Sequence, residues 1–126
     1  MIKKVAFVGQ PTRDFATAKR FYGEVLGLRH DHDHGDKWTE FITPDGVTIA
    51  LDGYGPELTD TPTPYLSLEL DDLGAALPQI EAGGAEVIAP MQINRNAEGR
   101  EICRIAVILD PMGNPVMLHQ IAAWRA

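Results

Sequence analysis

Four histidines and a single cysteine supply most of the reactive side chains in this 126-residue sequence. Three of the histidines stand in one run, His30-Asp31-His32-Asp33-His34. On a strand, alternate residues share a face, so His30, His32 and His34 are expected on one side, about 6.6 Å apart, with the aspartates on the other. Two imidazoles at positions i and i+2 reach one divalent ion, so the chemistry this run offers is metal binding. The plainer alternative is a solvated approach to a hairpin turn. Trp38 and Glu40 follow on the partner strand, with Trp38 either a pocket wall or a core residue. The fourth histidine, His119, lies two residues beyond Met117 and shares its face. Histidine exchanges protons near neutrality, so His119 is a candidate general base or ligand-orienting donor, set against a purely structural role at a sheet end. If the turn at Asp110 to Asn114 sets Ile105 opposite His119, Cys103 lies diagonal to it on the same face. A one-residue slip would remove that pairing and leave Cys103 a buried inert thiol.

Composition narrows the classes of function. The net charge is −7 and the pI near 4.9, which argues against nucleic acid as a partner because phosphates need a basic face. One cysteine rules out an intrachain disulfide and a cysteine-based zinc site, and it suits a reducing cytoplasm. The N-terminal MIKKVAFVGQP has an apolar run of only about five residues, too short for a signal-peptide core or a membrane span. No membrane partner is expected.

The elements that position these residues come as a repeat. Counting 67 positions back from Pro111, Gly113, Val116 and Leu118 gives Pro44, Gly46, Ile49 and Leu51. Each copy is a Pro-containing turn with a glycine suited to φ > 0, followed by an alternating strand. Asp14 and Asp72 are 58 apart, and Gly27 and Gly84 are 57 apart. The chain therefore reads as two copies of one unit. In the first, a strand over Ile2 to Gly9 precedes a helix capped by Thr12 or Asp14 and closed at Gly27, followed by strands over Leu28 to His34, Lys37 to Thr43 and Val47 to Asp52. Gly53 to Pro64, with three prolines, reads as a linker. In the second, a strand over Tyr65 to Leu70 precedes a weak helix. Gly74 and Pro78 oppose that helix, so a short, late-starting or kinked one is expected. Strands then follow at Glu86 to Ile88, Ile102 to Leu109 and Pro115 to Ile121, with QINRNAEGRE a polar loop able to close over a site.

With FYGEVLGL in the first module, YLSLELDDL opening the second and DPMGNPVML near the end, the sequence resembles the vicinal oxygen chelate superfamily. That group includes glyoxalase I, extradiol dioxygenases, methylmalonyl-CoA epimerase, fosfomycin-resistance enzymes and bleomycin-resistance proteins. The resemblance implies an α+β fold in which two βαβββ modules form a curled mixed sheet, a cup, with helices on its outer face. It implies one glyoxalase-like domain over residues 1–126, with module one at about 1–54, a linker at about 53–64 and module two at about 65–121. It also implies a homodimer whose second subunit completes or flanks the pocket, and Trp124 in the C-terminal tail hints at such a contact.

Metal-using members resemble one another in carrying His, Glu or Gln at four cup-facing positions, on the first and last strands of each module. Here those positions read Lys4, Ala50, Tyr65 and Met117. None is an ordinary ligand for a divalent ion, so neither the usual metal site nor a metal cofactor is expected. The expected site is a ligand pocket lined by Lys4, Trp38, Ala50, Tyr65, Met117 and His119, suited to a planar or anionic small molecule. The expected function is that of a cytoplasmic small-molecule-binding protein similar to the bleomycin-resistance proteins. The alternative is an enzyme of glyoxalase, isomerase or dioxygenase type with a relocated metal site or with His119 as base. A third reading is a structural or regulatory dimer with a filled cup.

Overall fold

The computed structural model of the chain describes residues 1–54 and 63–126, so most of the expected linker lies outside the described residues. The fold is α+β, with strands in every stretch expected to form one. The chain divides into two compact units, Phe7–Tyr65 and Met1–Ala6 with Leu66–Ala126.

In the Phe7–Tyr65 unit, strand β1 (Ile2–Pro11) enters at Phe7 and is followed by helix α1 (Phe15–Arg20), which continues as a π-helical turn over Phe21–Val25. Asp14 caps the helix through Oδ1, which accepts from the Thr17 amide at 3.1 Å, and Gly27 ends the segment at φ 71°. Strands β2 (Arg29–Asp33), β3 (Trp38–Ile42) and β4 (Thr48–Asp52) form an antiparallel meander, and β4 then pairs parallel to β1. Phe41, Leu51 and Thr39 are buried, and Phe41 packs beside Gly23 and the Tyr22 ring.

The other unit repeats the scheme. Strand β5 (Tyr65–Leu70) leads to helix α2 (Leu73–Ala82), then to β6 (Glu86–Arg95), β7 (Glu101–Leu109) and β8 (Pro115–Ile121). Strands β6 to β8 are antiparallel, and β8 runs parallel to β5. Asp72 caps α2 as Asp14 caps α1, with Oδ1 accepting from the Ala75 amide at 3.1 Å. Leu70, Leu73, Ala76, Ala106, Ile108 and Leu118 make the core between this helix and one face of the sheet. The turns before β4 and β8 also match: Gly46 and Gly113 have φ of 92° and 84°. The residue four positions before each strand-entry amide accepts from it through a side-chain oxygen, Thr43 from Val47 at 2.9 Å and Asp110 from Asn114 at 2.8 Å.

Two expectations need correction. Helix α2 does not start late: it begins directly after Asp72 and runs through Pro78. The Asp72 cap and the burial of Leu73 and Ala76 outweigh the one backbone bond that proline forgoes. The polar stretch QINRNAEGRE is not an open loop. Its first four residues belong to β6, which pairs with β7 through several register shifts. The reversal is a tight turn in which Asn96 Oδ1 accepts from the Glu98 and Arg100 amides at 3.1 and 2.9 Å, with Gly99 at φ 81°.

Candidate functional site

The histidine run is shaped by a bulge. Strand β2 pairs His30 with Phe41, then His32 with Glu40 and Asp33 with Thr39, leaving Asp31 as an extra residue. The expected alternation is therefore broken, and His30 does not share a face with His32 and His34. His30 turns toward Thr39 and Asp33, its Nε2 lying 3.0 Å from Thr39 Oγ1 and 3.0 Å from Asp33 Oδ1. Asp33 also accepts from Thr39 Oγ1 and from Lys19 Nζ, and these bonds, led by those of Thr39 and His30, hold its carboxyl well below the usual range. His32 and His34 fall on the Glu40 side, with their Nε2 atoms 2.8 Å apart. Glu40 Oε2 lies 3.5 Å from His32 Nε2 and 3.7 Å from His34 Nε2, and it accepts from Trp38 Nε1 at 2.9 Å.

A second polar group in the same unit joins Tyr65 to Asp52. The Tyr65 hydroxyl donates to Asp52 Oδ2 at 2.7 Å, while Oδ1 accepts from the Tyr54 amide at 2.7 Å. Burial first, and then the neighbouring Asp52 charge, push the Tyr65 phenol far above its ordinary range. The Phe7 ring makes edge contacts with both Trp38 and Tyr65, centroids 5.3 and 6.3 Å away.

In the other unit the sheet face opposite α2 carries Ser67, Glu69, Met117, His119, Ile105 and Cys103. The conditional register expected for Cys103 is the observed one: Ile105 pairs with His119 and Cys103 with Ile121. His119 Nδ1 lies 2.6 Å from Glu69 Oε1, and Glu69 Oε2 accepts from the Ile121 amide at 2.7 Å. A carboxylate only accepts, so His119 carries its proton on Nδ1. Glu69 is 4% exposed, and the His119 side chain paired with it is 13% exposed. Cys103 is 7% exposed, and burial pushes its thiol up, which fits an unreactive sulfur held by Asn94 Nδ2 at 3.5 Å.

The expected pocket residues fall in both units. Trp38, Ala50 and Tyr65 belong to the Phe7–Tyr65 unit, whereas Met117 and His119 share a face in the other. The strand register revises the position given to Lys4. Ala50 pairs with Gly9 and Met117 with Ser67, so the residues two earlier, Phe7 and Tyr65, are counterparts in the repeat. Lys4 is exposed and three residues from Phe7, on the other face of β1. The surface depression lined by Gly27, Leu28, Arg29, Ile42, Thr43 and Pro44 holds none of the expected residues. Trp124, 47% exposed, is engaged within its own chain: Nε1 donates to the Glu101 carbonyl at 2.7 Å and the ring stacks 3.9 Å from the Arg100 guanidinium. Asp52 and Glu69 were not singled out by sequence. The only signal for Glu69 was a carboxylate set between Leu68 and Leu70 on a strand.

This duplicated βαβββ arrangement agrees with sequence comparison. The profile of the Glyoxalase/Bleomycin resistance protein/Dioxygenase superfamily matches residues 4–118, and the chain belongs to that superfamily. No curated protein sequence matches. Among solved structures, the chain is similar to a glyoxalase/bleomycin resistance protein/dioxygenase superfamily member from Vibrio splendidus 12B01, with 15% identity, TM-score 0.69, and 97% of this chain and 100% of the other covered. It is also similar to methylmalonyl-CoA epimerase from Mycobacterium tuberculosis, with 18% identity, TM-score 0.68 and coverage of 98% and 91%. A variant of the Streptomyces coelicolor methylmalonyl-CoA epimerase in complex with 2-nitronate-propionyl-CoA gives 18% identity, TM-score 0.62 and coverage of 98% and 100%. At these identities the likeness is one of fold. No helix among the described residues is long and apolar enough to cross a membrane.

Proposed function

We propose that the protein binds a small organic molecule and does so without a metal at the superfamily's usual four positions. The observation that carries this reading is the chemistry of those positions in the repeat: Phe7, Ala50, Tyr65 and Met117. Phenyl and methyl groups offer no donor atom, a thioether suits soft ions, and the Tyr65 hydroxyl already donates to Asp52. These residues do not fit a hard or borderline divalent ion. Trp38, Ala50 and Tyr65 in one unit, and Met117 and His119 in the other, remain the proposed ligand contacts, and of these Ala50, Tyr65 and Met117 are buried. Lys4 is retained only as an exposed cation on the opposite face of its strand.

Native mass spectrometry of protein purified without an affinity tag tests the proposal. A retained organic molecule whose occupancy falls in Trp38→Ala is the expected result. A stoichiometric divalent ion lost on Tyr65→Phe or Met117→Ala would overturn it. The same reading takes the protein as a homodimer in a reducing cytoplasm, which sedimentation at micromolar concentration checks for the assembly.

The Glu69–His119 pair favours a second reading, proton transfer by an enzyme. Glu69 fixes the tautomer and leaves Nε2 as the basic nitrogen of the ring. Under this reading His119→Ala abolishes turnover of a carbon acid while far-UV dichroism is unchanged. Undiminished turnover in that variant would end it.

A further inference from the structure

We propose that His32, His34 and Glu40 form a binding site for a borderline first-row divalent cation of the zinc type, apart from the positions the superfamily repeat aligns. The residues meet because of the Asp31 bulge, which turns His32 and His34 together toward Glu40 and sends His30 away. Their ligand atoms all lie within 4.8 Å of one another, at separations of 2.8, 3.5 and 3.7 Å. Zinc bonds of about 2.0–2.1 Å at a tetrahedral angle put neighbouring ligand atoms roughly 3.4 Å apart, so the triangle needs only small side-chain rotations to close on one ion. Two imidazoles and one carboxylate are a donor set that such ions favour over calcium or magnesium, which prefer oxygen alone.

The surrounding residues orient this triangle. His32 Nδ1 lies 2.8 Å from Asp31 Oδ2, so Nδ1–H donates to the aspartate and the Nε2 lone pair is left toward the site. Trp38 Nε1 donates to Glu40 Oε2 and limits the rotation of that carboxylate. The Glu40 side chain is 17% exposed and the two imidazoles 40% and 37%, so an ion can enter from solvent. Three protein ligands leave at least one position open to water or to an oxygen donor of a bound molecule.

A titration of tag-free, chelator-stripped full-length protein with Zn2+ by calorimetry, repeated with Co2+ by absorption, tests the site. The expected result is one ion per chain, with visible Co2+ bands of a tetrahedral or five-coordinate site. His32→Gln, His34→Gln and Glu40→Gln should each weaken binding by more than tenfold, and Asp31→Asn by about 10- to 100-fold through loss of orientation. His30→Gln serves as control, because that ring faces Thr39 and Asp33, and should leave affinity unchanged. Absence of binding at millimolar Zn2+, binding indifferent to the three substitutions, or an equal loss in His30→Gln would overturn the assignment. Far-UV dichroism of each variant separates lost ligands from lost fold.

Discussion

The Tyr65 hydroxyl donates to Asp52 Oδ2 at 2.7 Å, and both side chains are buried. The bond ties the first residue of β5 to the last residue of β4. Its phenol is held protonated far above the ordinary value of 10.0. An unfolded chain loses this proton near that value while the folded chain keeps it, so the folded state binds more protons and stability falls as pH rises above about 10. Tyr65→Phe should remove this component of the alkaline slope and cost about 1–3 kcal/mol at neutral pH, because the Asp52 carboxylate loses a donor. Urea unfolding of both proteins at neutral and alkaline pH measures the two effects. An unchanged alkaline slope in the variant would show that the phenol is not its source.

Gly9 lies under the same ring. A Cβ there would sit 2.2 Å from Tyr65 Cζ and 2.5 Å from both Cε atoms, closer than any real contact. Gly9→Ala should therefore displace the ring and destabilise by about 1–3 kcal/mol. Combined with Tyr65→Phe, the loss should be less than the sum, since both changes act on one contact. Thermal unfolding of the single and double variants provides the cycle.

Glu69 holds two donors at once, the His119 imidazole and the Ile121 amide. Glu69→Ala leaves both without this acceptor in a half-buried setting and should cost about 3 kcal/mol. The substitution should also release the tautomer, moving the His119 proton from Nδ1 toward Nε2. Nitrogen-15 NMR of the ring reads this directly, and an unchanged Nδ1-H signal in the variant would show that Glu69 does not set it.

Ser67 is fully buried, and its Oγ is the one buried side-chain polar atom without a hydrogen-bond partner among the described residues. An unpaired buried hydroxyl costs free energy, so Ser67→Ala should be neutral or stabilising by up to about 1 kcal/mol. A clear drop in chemical-denaturation midpoint would show that the hydroxyl is engaged.

The sequence alone was enough for whatever depends on neighbours along the chain. Asp14, one of the two cap candidates, caps its helix because a carboxylate reaches an amide three residues on, wherever the helix later packs. Gly46 and Gly113 mark equivalent turns because positive φ is a property of one residue, and the spacing between those turns exposes the repeat. The Ile105–His119 pairing was open to a one-residue slip in the sequence, and the observed register of β7 and β8 decides it. Tertiary structure alone decided the rest. A bulge depends on the partner strand, so nothing within His30 to His34 announced that Asp31 would be the extra residue or that His30 would part from His32. Tyr65 with Asp52 and Glu69 with His119 are 13 and 50 residues apart. Such pairs form because folding removes water from both partners and leaves each polar group the other as its hydrogen-bond partner, a choice made by burial in three dimensions.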